Sequence, residues 1–414
     1  MLVEKGYKQT EFGMIPEDWE VSSLGEVGEV KMCRRIFNHE TSYIGAIPFF
    51  KIGTFGKEPD AFITREKYED YRKKYPFPRK GDILISAAGT IGRTIKYNGE
   101  DAYFQDSNIV WIDNDFCTVS NDFLYHIYQV VKYNTEGGTI QRLYNTILKA
   151  TKFVLPPLPE QTAIATALSD MDALIAKTEQ LIEKKKAIKQ GVMQELLTGR
   201  TRLPGFENNK GYRHTEVGLI PEDWEVKELG EIGNVIIGLT YSPDDVAEYG
   251  TLVLRSSNIQ NNRLAFVNNV FVNMDLPDRV MVKDRDLLIC VRNGSRNLIG
   301  KSALIDKSAE GAAFGAFMSV FRSDINNYVS ILFQSNIIQQ QIENNLGATI
   351  NQITNKDLKS FKVPLPPLPE QTAIAEALSA LDENLTLLDA KLQKLKLQKQ
   401  GMMQALLTGK IRLV

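Results

Sequence analysis

The stretch Gly294-Ser295-Arg296-Asn297-Leu298-Ile299-Gly300-Lys301-Ser302 comes nearest to phosphate-handling chemistry in this chain. A P-loop keeps four residues between its glycines so that its backbone amides wrap a phosphate; here there are five. The matching stretch of the first half, Gly89-Thr90-Ile91-Gly92-Arg93-Thr94, is shorter still, and both are read as polar loops. His39, His126 and His214 have no cysteine or acid at nucleophile or metal spacing. Cys33, Cys117 and Cys290 are far apart and odd in number, which gives no disulfide framework. There is no Asn-Pro-Pro-aromatic motif for base methylation and no glycine-rich dinucleotide fingerprint. An enzyme of this size normally shows at least one such constellation. The expectation is that the chain carries no catalytic, cofactor-binding or metal-binding residue.

Charge offers a different chemistry. The net charge of −2 argues against a uniformly basic coat for nucleic acid, so any affinity for a polyanion must be local. Residues 31–100 hold 14 Lys/Arg against 8 Asp/Glu, with Arg34, Arg35, Arg72, Lys73, Lys74, Arg79 and Lys80 clustered. Residues 251–301 hold 8 against 4, in the corresponding part of the second half. With 43% apolar and 24% charged residues the composition is that of a soluble globular protein, and 414 residues suggest two to three domains. No apolar run reaches eighteen residues and the first residues are polar, so neither a membrane span nor a signal is expected. A reducing cytoplasm fits.

These residues are set in a duplicated frame. YKQTEFGMIPEDWEV at 7–21 returns as YRHTEVGLIPEDWEV at 212–226, and LPPLPEQTAI at 155–164 returns letter for letter at 365–374. LLTGR at 196–200 returns as LLTGK at 406–410. Between these ends only a skeleton is kept: GDILIS at 81–86 faces RDLLIC at 285–290, Phe104 faces Phe314, and GGTIQ at 137–141 faces GATIN at 347–351. Shared ends with divergent middles imply a common partner for the ends and different tasks for the middles.

Each middle segment reads as mixed short strands and helices. Residues 82–86 and 286–291, and 47–51 and 251–255, are short apolar runs of the buried-strand type. Residues 121–132 and 325–342 have helical spacing. From Pro159 and Pro369 the pattern changes to almost forty residues without an internal proline, each opened by a proline and an acid suited to a helix N-terminus. Apolar residues at Ile374, Leu378, Leu381, Leu385, Leu388, Leu392 and Leu395 form a coiled-coil seam, interrupted by Lys399. The first copy supplies Ile164, Leu168, Met171, Ile175, Ile182, Val192 and Leu196, with Leu174, Leu181 and Ile188 on a neighbouring stripe. Each helix is the other's obvious partner; periodicity alone leaves their relative direction open. The repeat itself predicts that the first and last segments lie close together, because LLTGR runs on into YRHTEVGLIPEDWEV in the middle of the chain. That closure requires antiparallel helices.

The LPPLPEQ-initiated helices at 155–197 and 365–407, their LLTG ends, the two IPEDWEV strings and the GDILIS and GGTIQ marks together resemble a specificity subunit of a type I restriction–modification enzyme. The resemblance covers the whole chain in order, spacing and duplication. It implies an α+β architecture with two mixed α/β target-recognition domains and two long helices paired as an antiparallel coiled coil, related by an internal pseudo-twofold repeat. The expected limits are 1–155 for the first recognition domain, 156–200 for the first long helix, 201–364 for linker and second recognition domain, and 365–414 for the second helix. It further implies that each domain reads one half of a split double-stranded DNA site. Two methyltransferase subunits would bring S-adenosylmethionine, and restriction subunits would bring ATP and Mg, with no membrane involved.

Sequence-specific binding needs phosphate contacts for register and side chains on base edges for identity. Arginine and lysine suit guanine; asparagine and glutamine suit adenine. The divergent segments offer these in three matched clusters. Lys51 and Thr54 stand where Arg255, Ser256 and Asn258 stand in the second half. Thr90 and Arg93 answer Arg292, Asn293, Ser295, Arg296 and Asn297. Thr139, Gln141, Arg142 and Asn145 answer Thr349, Asn351, Gln352 and Asn355. The competing reading is a structural coiled-coil scaffold joining protein partners, which leaves divergent middles between near-identical ends unexplained.

Overall fold

The computed structural model describes residues 6–133, 142–207, 211–347 and 351–413. It forms two compact units, one of Met1–Glu179 with Ala390–Val414 and the other of Gln180–Asp389. The division falls inside both long helices, Leu158–Leu197 and Leu368–Leu406, so each unit contains the start of one helix and the end of the other.

In the first unit a four-stranded antiparallel sheet runs Gly28–Lys31, Ile109–Asn114, Ile83–Ser86, Thr94–Lys96. The second unit repeats this order with Asn234–Ile237, Met318–Arg322, Leu287–Cys290 and Ser302–Leu304. Both faces of each sheet are covered. Ile83 and Ile85 enter one apolar cluster while Leu84 enters another, and Leu287 and Ile289 divide in the same way from Leu288 and Cys290. Burial on both sides is why GDILIS and RDLLIC read as unbroken apolar runs rather than alternating ones. The aspartate that opens each run is a turn former. Asp82 accepts from the Arg79 amide at 2.7 Å, and Asp286 from the Lys283 amide at 2.8 Å and from Arg322 Nη2 at 2.6 Å. Burial pushes the Asp82 carboxyl above the usual carboxylate range, against the hydrogen bond from the Arg79 amide.

A second sheet in each unit carries the other expected strands. Ile47–Phe50 pairs in parallel with Tyr103–Phe104, and Thr251–Leu254 pairs in parallel with Ala313–Phe314. The helical expectations are met in part. Residues 121–132 give a helix only at Asn121–Ile127, and 325–342 give two, Asn326–Leu332 and Asn336–Asn345. The second is interrupted between Leu332 and Asn336, where carbonyls turn from the amide four residues on to nearer amides and side-chain donors. Ser335 Oγ donates to the Leu332 carbonyl at 2.7 Å and Gln339 Nε2 to the Phe333 carbonyl at 2.8 Å.

The long helices are antiparallel, as two ion pairs in the first unit require. Lys396 meets Glu179 and Lys399 meets Asp172, so the numbers fall on one helix as they rise on the other. In the second unit Lys189 meets Asp382 at 2.6 Å. Burial along the seam is uneven. Ile164, Leu168 and Leu378 are fully buried, Ile182, Leu392 and Leu395 nearly so, while Met171, Ile175, Leu381, Leu385 and Leu388 are half-buried. Val192 is exposed and Met193 takes its place in the core.

Lys399, which interrupts the apolar seam, is thus a register pin. Its Nζ lies 2.7 Å from Asp172 and donates to Gln129 Oε1 at 2.9 Å, and Lys189 does the same with Asp382 and Gln334. A single polar position within an apolar seam commonly fixes register. Reversing the pair, Lys399→Asp with Asp172→Lys, is expected to keep more stability than either single reversal. Urea unfolding in a double-mutant cycle should give a coupling of about 0.5–3 kcal/mol; additive losses would show that the pair pins nothing.

Candidate nucleic-acid interface

The repeated strings converge on one cluster in each unit. In the first, Trp19 of PEDW donates its Nε1 hydrogen to Glu160 of LPEQ at 2.8 Å. Arg412, just past LLTG, donates to the same carboxylate at 2.7 Å and grips Asp18 with two bonds of 2.9 and 2.8 Å. In the second, Trp224 donates to Glu370 at 3.1 Å, and Arg202 bridges Glu370, at 2.6 Å from Nη2, and Asp223, at 3.1 and 3.2 Å. Tyr7 Oη donates to the Gly409 carbonyl, and Tyr212 Oη to that of Gly199. Both glycines have positive φ, and a Cβ there would sit 2.4 Å from Pro16 or 2.5 Å from Pro221. The first and last described segments therefore meet in one unit, as the repeat predicts. This lock was not singled out from the sequence, although every member lies in or beside a repeated string. Glu160 and Glu370 lie in the first turn of the long helices, where the sequence places an acid, and, buried to 1% exposure, they also hold the lock.

The frame closes on a two-stranded ribbon in each unit, Glu20–Ser23 with Lys152–Leu155 and Glu225–Glu228 with Lys362–Leu365. The divergent segment leaves and returns through that ribbon. Its three polar clusters come together beyond it. In the first unit Arg93 Nη2 donates to the Ile52 carbonyl at 3.2 Å, joining the first and second loops, and Ala88 bridges Arg142, joining the second and third. In the second unit Asn293 Nδ2 donates to Ser256 Oγ at 3.1 Å, Arg292 bridges Gln352, and Asn351 Nδ2 donates to the Gly294 carbonyl at 3.0 Å.

Within these clusters the side chains play unequal parts. Thr90, Arg142, Asn145, Arg292, Ser295, Arg296 and Asn297 are exposed. Lys51 is partly exposed and paired with Asp60 at 2.8 Å. Thr54 closes its own turn, accepting from the Lys51 amide at 3.1 Å. Arg93 lies 5.4 Å over the Phe55 ring, and Arg255 Nη2 holds the Asn268 carbonyl at 2.8 Å. Asn355 accepts from Ser319 Oγ at 3.0 Å. Asn258 departs from its expected role: it is fully buried, accepts from the Arg255 amide and donates to Ala265 and Asn269, so it shapes the loop and presents nothing to a duplex. Gln141, Thr139 and Thr349 lie outside the described residues.

Burial pushes the Cys33 thiol up to about 12 and that of Cys290 up to about 11. Fully buried His126 is held below the usual histidine range by burial, with Nε2 3.3 Å from Ser169 Oγ. Among the described residues no group of His, Cys, Asp or Glu could hold a metal ion, and no helix is long and apolar enough to cross a membrane.

The family of type I restriction modification DNA specificity domains matches residues 16–187 and 221–397. A putative type I restriction enzyme specificity subunit of Haemophilus influenzae is 56% identical over 161 residues, 39% of this chain and 42% of that protein. The putative MjaX specificity subunit of Methanocaldococcus jannaschii is 31% identical and aligns with 99% of this chain and 97% of its own. The crystal structure of a type I restriction–modification S subunit from M. genitalium shares the fold, with a TM-score of 0.58 at 15% identity over 98% of each chain. A structure from work on complex assembly and conformational transition of the type I system gives a TM-score of 0.55 at 17% identity, covering 96% of this chain and 99% of that one.

Proposed function

We propose, from the premise that this chain belongs to the type I restriction–modification specificity-subunit family, that it reads a split double-stranded DNA site, one half per unit, and carries no catalysis of its own. The observation that carries this reading is the convergence of three divergent polar clusters at matching places on two units built from near-identical ends. Methyl transfer and cleavage belong to methyltransferase and restriction subunits, which supply S-adenosylmethionine, ATP and Mg. Leu181 and Ile188, on the part of the first long helix that belongs to the second unit, are 41% and 44% exposed, an apolar surface suited to docking such partners.

Purified alone with S-adenosylmethionine and genomic DNA, the chain is expected to transfer no methyl groups. Together with its methyltransferase it should methylate adenines in one two-part sequence. Robust transfer by the lone chain, or methylation without sequence preference by the pair, would sink the reading.

Exposed Arg292 and Arg296 make no ion pair among those found between described residues, which leaves their guanidinium groups available. Arg292→Ala and Arg296→Ala are each expected to weaken specific binding by about 1–3 kcal/mol. Relaxed preference at one base pair identifies base reading; uniform loss with a lower salt slope identifies a phosphate contact. Unchanged affinity in both would remove this loop from the interface.

A further inference from the structure

The two units differ at a position that the same strand register fixes in each. Phe50 pairs with Phe104 in the first unit and Leu254 with Phe314 in the second, and the following amides bond alike: Gln105 N to the Phe50 carbonyl at 2.9 Å, Gly315 N to that of Leu254 at 3.0 Å. Gln105 therefore corresponds to Gly315, and Ile52 to Ser256. In the first unit the Gln105 side chain fills the space and accepts from the Ile52 amide at 2.9 Å, while Arg35 Nε and Asp106, 2.8 Å apart, close the surface beside it. In the second unit the glycine leaves that space empty. The result is an open pocket of about 740 Å3, within the size range of small-ligand sites.

Its walls suit a flat, polar-edged molecule. Phe317 is 55% exposed and Tyr241 stands across Gly315, both lining the pocket. The Arg292 guanidinium, from the candidate interface, lies 5.1 Å from the Phe317 ring centroid, so the pocket is continuous with that surface. Arg255 and Ser257 line the pocket, and Arg255 Nε and Ser257 Oγ lie covered from solvent without a hydrogen-bond partner. Buried donors without acceptors are costly, and turning either side chain towards an acceptor in the pocket would relieve them.

We propose that this pocket receives one nucleobase turned out of the duplex, its face on Phe317 and its acceptor edge towards Arg255 and Ser257. Base–aromatic stacking tolerates any base, so identity is set at the polar edge. The proposal rests on the DNA-reading function above and deepens it: the second unit reads one position by eversion, whereas the first, with Gln105 in place, does not.

The test uses the chain co-purified with its methyltransferase and duplexes of its mapped site in which one nucleotide at a time faces an abasic residue. Where a base must be everted, losing its pairing partner removes a cost of binding. Besides the adenine that the methyltransferase itself turns out, a second position in the second unit's half-site should bind at least tenfold more tightly than the intact duplex. Two variants should abolish that gain: Phe317→Ala, which removes the stacking face, and Gly315→Gln, which copies the filled first unit. A Cβ at Gly315 finds its nearest neighbour, Val253 Cγ1, at 3.6 Å, an ordinary contact. Sequence-specific binding with no such position, or a gain that survives in both variants, overturns the pocket while leaving DNA reading intact. Absence of any sequence-specific binding by the wild-type complex overturns the DNA-reading function itself, and the pocket with it.

Discussion

Exchanging residues 227–364 for the matching segment of a relative is expected to replace one half of the recognised sequence outright and leave the other half untouched. The exchanged block begins and ends in one antiparallel ribbon, with Glu228 opposite Lys362 and Glu225 opposite Leu365, so the graft enters and leaves at a single place. The side chains that hold the frame, Arg202, Asp223, Trp224 and Glu370, all lie outside the block. Apolar contacts do cross the boundary: Leu229, Tyr328 and Phe361 share a cluster with Ile374 and Leu378, so a donor must keep apolar residues at those positions. The first unit loses nothing, because residues 1–179 and 390–414 are unchanged. Mapping methylated adenines in cells carrying the hybrid with its methyltransferase reads the outcome. A hybrid that altered both halves, or neither, would overturn the assignment of one half-site to each unit.

Glu370→Ala is expected to lower the stability of the second unit by about 3–5 kcal/mol, the usual loss when one member of a buried ion cluster is removed. Its carboxylate is 1% exposed and the Arg202 side chain 10%, so water cannot replace the lost partner. Trp224, itself 1% exposed, would also lose the acceptor for its indole hydrogen. Glu160→Ala removes the equivalent carboxylate, but Arg412 is 30% exposed and Asp18 53%, so solvent compensates and the loss should be smaller. Urea unfolding followed by fluorescence compares the two. A Glu370→Ala change within about 0.5 kcal/mol of wild type, the range of ordinary surface substitutions, would mean that the lock is decoration.

Much of the architecture was legible in the sequence, because duplication and periodicity are properties of a string. Ten identical residues at 155–164 and 365–374 announce two copies, and apolar spacing from Ile374 to Leu395 announces a paired helix. Buried strands were legible at Ile83–Ser86 and Leu287–Cys290, where both faces meet apolar neighbours and the run is continuous. The lock was written there too, in PEDW, LPEQ and LLTG, but those strings lie far apart along the chain. Only tertiary structure shows that Trp19, Glu160 and Arg412 meet, since buried charges must find partners in space and not in sequence. Lys399 reads as an interruption of the apolar seam along the chain, and only the fold places Asp172 opposite it.

The recognition surface divides the same way. Composition pointed to three polar clusters in each half, yet a polar residue type does not say where its side chain points. Asn258 and Asn297 are one residue type in two loops of the same unit; the first spends its hydrogen bonds inside the turn, and the second is exposed. The pocket had no sequence signature at all, because it is made by what Gly315 lacks and Gln105 supplies, a difference that acquires meaning only once the strands are in register. The string determined that the protein is two copies of one frame; the fold decided which side chains the frame uses up and which it leaves to face a partner.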